Sequence, residues 1–214
     1  MNENTNKYQK IKEISFDEIN TDLQKSKFIE EYSKLSFNDG FLFKTIEAKE
    51  KDIFKEISNQ ILKLNEDFDV NIKFQKASKD VNDFLYYIIT NESLIAKKWG
   101  IHEDDEDFLE IVDEFKSLEN FKNLTICELN IMKLKRRLHE IAKSGSIYDD
   151  WTLSDRLTEK IVSDFANSIF QKNEEYRIFE FENWGDYIMG FFNGFIFINI
   201  SKSQISFFVK DDYD

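Results

Sequence analysis

Asn193-Gly194-Phe195-Ile196-Phe197-Ile198-Asn199-Ile200 is the stretch whose reading decides the fold. In an extended chain successive side chains point to opposite faces. One face here collects Phe195 and Phe197, the other Ile196, Ile198 and Ile200, so both faces are apolar. A strand of this kind belongs in the interior of a sheet that is covered on both sides.

Working outward, Asn193-Gly194 is a strong hairpin signal and predicts a turn between strands Tyr187–Phe192 and Phe195–Ile200. Ser201–Gln204 reads as a further turn, and Ile205, Phe207 and Val209 as a last strand. Upstream, Arg177, Phe179 and Phe181 alternate with Ile178, Glu180 and Glu182, and Asn183-Trp184-Gly185 follows as a turn. The C-terminal forty residues therefore predict an antiparallel β-meander of about four strands.

Before residue 175 the apolar period is mostly helical. Ser15 and Glu18 form a capping box, with Ile14 and Ile19 as its staple, and predict a helix to about residue 35. Further helices are expected over Glu47–Leu64, from Ser78 to near Gly100, over about 104–118 and 127–143, and from Trp151-Thr152 to about Lys172. Short strands at 41–46 and 69–75 would extend the sheet. Residues 1–14 read as a loose arm or a short strand. The expectation is an α+β fold, a single domain over 1–214, in which a mostly helical first three quarters packs on the C-terminal meander.

The composition carries the functional argument. The chain has 42 Asp and Glu against 29 Lys and Arg, a formal net charge of −13. A nucleic-acid backbone is a poor partner for such a surface. Aromatic residues compensate for the high polarity: 22 Phe, 8 Tyr and 3 Trp supply core area, each buried Phe contributing roughly 1.5–3 kcal/mol by transfer. One cysteine, Cys127, excludes an internal disulfide and a cysteine-built zinc site. Its neighbours Ile126 and Leu129 mark it as a small core residue. The N-terminal residues lack the apolar run of a signal peptide, and the apolar stretch near Tyr187–Ile200 is too interrupted to span a membrane as a helix. A cytoplasmic location is expected.

The charge is localised. Residues 1–100 carry 18 acidic and 16 basic side chains, and residues 101–214 carry 24 and 13. Within Glu103–Glu119 nine acids face one base, Lys116, a net of −8. On a helix Glu103, Asp107, Glu110 and Glu114 share one face, with Asp104 and Asp113 beside it. Like charges at these spacings oppose helix formation by roughly 0.2–0.5 kcal/mol each. The helix dipole favours only the acids of the first turn, by roughly 0.3–1 kcal/mol. The plainest account is a solvated face, or one balanced by Lys133, Lys135, Arg136 and Arg137 of the next helix. The functional account is a docking face for a basic protein partner. A cation site is the weakest, because Glu-Asp-Asp-Glu-Asp has neither the glycine-centred spacing of a calcium loop nor flanking histidines.

Other chemistry-bearing residues are few. Asp149-Asp150 reads as a turn and helix start rather than an acid/base dyad. His102 lies beside the acid run and His139 on the helix of Arg136 and Arg137, neither with a triad-like spacing. No glycine-rich phosphate loop occurs. Glu114-Phe115-Lys116 imitates a nuclease triplet but falls on the helical pattern. Trp184, Asp211 and Asp212 are secondary interface candidates.

The resulting expectation is a non-enzymatic binding protein that uses 103–119 to bind a basic protein, without cofactor, metal, nucleic acid or membrane. Immunity proteins of bacterial toxins and DNA mimics share this acidic character, an analogy of charge and not of residues. The alternatives are an enzyme built from distant carboxylates and a histidine, possible with a divalent metal, and an accessory scaffold domain.

Overall fold

The computed structural model describes residues 10–36, 40–62, 75–89, 91, 93, 125–146, 148–169, 174–182 and 192–211. Seven strands form one antiparallel sheet: β1 (Phe16–Ile19), β2 (Gly40–Ala48), β3 (Gln75–Lys76), β4 (Thr125–Glu128), β5 (Tyr176–Glu182), β6 (Phe192–Asn199) and β7 (Gln204–Asp211). Their spatial order is β1-β2-β7-β6-β5-β4-β3. The chain lays down one edge, crosses to the other with β3, and returns strand by strand until β7 lies against β2. Among the described residues it is accompanied by α1 (Lys27–Tyr32), α2 (Lys51–Ile61), α3 (Lys79–Ile89), α4 (Ile131–Ser144) and α5 (Asp155–Ile169).

The alternation that defines β6 sorts the helices into two layers. Ile196 and Ile198 join Ile205 and Phe207 of β7 and Phe179 and Phe181 of β5 in a core roofed by α2 and α3, through Phe54, Ile57, Phe84, Leu85 and Ile88. Phe195 and Phe197 join Phe208 and Ile178 in a second core under α1, α4 and α5, through Phe28, Leu134, Leu138, Ile161 and Phe165. The sheet is thus the middle of three layers, as the two apolar faces of 195–200 require.

Phe208 organises the second core. Its ring lies 5.0 Å from that of Phe41, 5.3 Å from Tyr32, 5.6 Å from Phe195, 6.3 Å from Phe28 and 6.4 Å from Phe43. One side chain therefore joins β2, β6, β7 and α1 by edge-on, tilted and stacked aromatic contacts, each worth roughly 0.5–1.5 kcal/mol beyond area burial.

Several expectations are corrected. The sheet is not confined to a C-terminal meander of about four strands under a helical first three quarters; strands are drawn from the whole chain. The helix expected from Ser15 is instead β1, with a helix starting only at Lys27. Ser15 donates its backbone N–H to the Glu50 carboxylate at 2.8 Å, and Phe16, almost fully buried, pairs with Ala48. These distant contacts outweigh the local capping signal. The working cap is Ser26, whose hydroxyl accepts from the Ile29 N–H at 3.3 Å. Likewise Cys127 and Glu128 belong to β4, and the helix expected there begins at Ile131 after Asn130.

Asn193-Gly194 is not a turn. β6 runs straight through it, Asn193 opposite Lys210 and Gly194 between Phe181 and Val209. The glycine is thus held in a central strand by pairing on both sides. Of the expected strand Tyr187–Phe192, residues 187–191 lie outside the described residues. The strand at 41–46 is real and is the middle of β2; residues 69–74 lie outside, and Gln75–Lys76 is β3. From Lys10 the expected arm is fastened: Ile11 and Ile14 are buried, and the Asn91 side-chain amide donates to both their carbonyls, at 3.1 and 2.9 Å.

Because Phe208 holds four elements together, Phe208→Ala is expected to destabilise the fold by about 3–5 kcal/mol, and Phe208→Leu by clearly less. Urea-denaturation midpoints with unchanged slopes check this; equal, small effects of both changes would show that the aromatic cluster is not what joins the layers.

Candidate functional site

Glu103, Asp104, Asp107, Glu110, Asp113 and Glu114 lie outside the described residues, as do His102, the Glu114-Phe115-Lys116 triplet, Trp184 and Asp212. Asp211 is described: it ends β7, paired with Gly40 and Phe192. The structure bears on the site through the cations expected to balance the acid run.

Those cations sit on α4, whose stripe of Leu134, Leu138 and Ile141 enters the second core. The remaining faces carry charge. Arg137 donates from Nε to Glu180 of β5 at 2.7 Å, and its Nη2 lies at the same distance from the same carboxylate oxygen. Its Nη1 donates to Glu140 at 2.6 Å, and Arg136 lies 3.7 Å from Glu140. Lys135 donates to the Asn167 side-chain oxygen of α5 at 2.9 Å. Glu180 is only 2% exposed, so its charge depends on Arg137. Burial alone would pull the Arg137 guanidinium down, but Glu180 and Glu140 outweigh it and hold the pKa above its ordinary value.

The opposite face of the sheet holds a second buried pair. Arg177 of β5 is 4% exposed and binds the Glu128 carboxylate of β4 through Nε and, at 2.7 Å, through Nη2. Its Nη1 donates to the carbonyl of Leu62, the residue that ends α2. This guanidinium thus ties two strands to an otherwise unsatisfied helix C-terminus. Sequence reasoning assigned it no role, although a lone arginine on the face of Phe179 and Phe181 demands a buried carboxylate nearby.

The remaining candidates are structural in their contacts. The Asp149 carboxylate accepts from the Ser36 backbone N–H at 2.7 Å, a bond that lowers its pKa, while Asp150 is exposed. The turn they occupy opens with Gly145 at φ +64°, where a Cβ would come within 2.5 Å of the Asp149 carbonyl oxygen. Lys210 reaches from β7 to donate to the Gly145 carbonyl at 3.0 Å. His139 has an enclosed Nε2 with no hydrogen-bond partner among the described residues. Cys127 is buried. Among the described residues no three His, Cys, Asp or Glu side chains gather as a metal site. No helix among them is long and apolar enough to cross a membrane.

No family model, curated protein or solved structure matches the chain. The functional argument therefore rests on the residues themselves.

A pH effect follows from Tyr176 at the start of β5. Burial is the main cause that pushes its phenol up from 10.0 to about 12, against a hydrogen bond with Asn199 that lowers it. The folded pKa is raised, so the contribution of this tyrosine to stability is complete below pH 10.0 and is lost as pH rises toward about 12. Tyr176→Phe should remove one late-ionising phenol from the ultraviolet titration and flatten the stability loss in that window.

Proposed function

We propose that the protein is a non-enzymatic binding protein whose acidic segment 103–119 captures a basic protein partner, in the manner of an immunity-type neutralising protein. The observation that carries this reading is the commitment of the nearby cations elsewhere. Arg137 is held by Glu180 and Glu140, Arg136 lies against Glu140, and Lys135 bonds Asn167. Lys133 is enclosed. Three of the four cations best placed in sequence to neutralise the segment, Lys135, Arg136 and Arg137, thus have partners elsewhere in the fold, which supports a segment whose net of −8 is available to a partner.

Glu103, Asp104, Asp107, Glu110, Asp113 and Glu114 would form the contact face, with Trp184, Asp211 and Asp212 as a secondary one. A surface of this sign speeds association with a cationic protein by roughly 10–10³-fold and repels nucleic acid. The reading needs no cofactor. It places the protein in the cytoplasm, where a chain with a single cysteine has no call for disulfide chemistry.

Reversal of Glu103, Asp107, Glu110 and Glu114 to Lys is expected to abolish capture of basic proteins while leaving thermal unfolding cooperative. Capture by the unaltered protein should also fade as salt approaches ~1 M, where the screening length falls to about 3 Å. Pull-downs at low and high salt, read by mass spectrometry, check both; a basic partner retained by the four-fold variant would place the site elsewhere.

A further inference from the structure

We draw no further inference here: the strongest candidate, the outer edge of β1 at one side of the sheet, carries none, because its acidic side chains Asp17 and Glu18 already lie against Lys49 and Lys44, at 3.1 and 4.0 Å, and nothing in the structure shows what covers it.

Discussion

Everything in this fold depends on a sheet interior that is apolar on both faces. An antiparallel sheet can leave one face in water, but β6 and β7 have no wet face to offer. The helices must therefore divide, α2 and α3 to one side, α1, α4 and α5 to the other. Polar groups caught between the layers are then acceptable only with a partner. Arg177 finds Glu128 and the end of α2, Glu180 finds Arg137, and Lys210 finds the Gly145 carbonyl. Each of these pairs joins elements distant in sequence, so satisfying a buried charge also fixes the position of a helix.

Part of this was legible in the residues. The two-faced pattern of Phe195–Ile200, the alternation after Arg177 and the strand of Ile205, Phe207 and Val209 all follow from period alone, and each lies in a long strand of the structure. Ser78 was legible as a cap because its hydroxyl has only local work, accepting from Val81. Ser15 was misleading because its neighbourhood is set by residues 48–50, which no local pattern can announce. Asn193-Gly194 failed for a related reason. A glycine that reads as a turn can equally sit inside a paired strand, here between Phe181 and Val209, and only the register distinguishes the two.

The functional residues divide in the same way. The acid run was visible as a count, and counting is insensitive to fold. What the count could not reveal is where the cations of α4 go, because Arg137 meets Glu180 only after β5 has been placed beside β4.

The strand order has a consequence for how the chain is made. β2 is bordered by β1 and β7, the earliest and latest of the seven strands. During synthesis, the β2 edge that will take β7 must wait until the C-terminal strand leaves the ribosome. Until then Phe41 and Phe43 have no Phe208 to meet, and their strand carries an open edge. The pairing that completes β2 is therefore long-range and late, the kind of contact that slows folding.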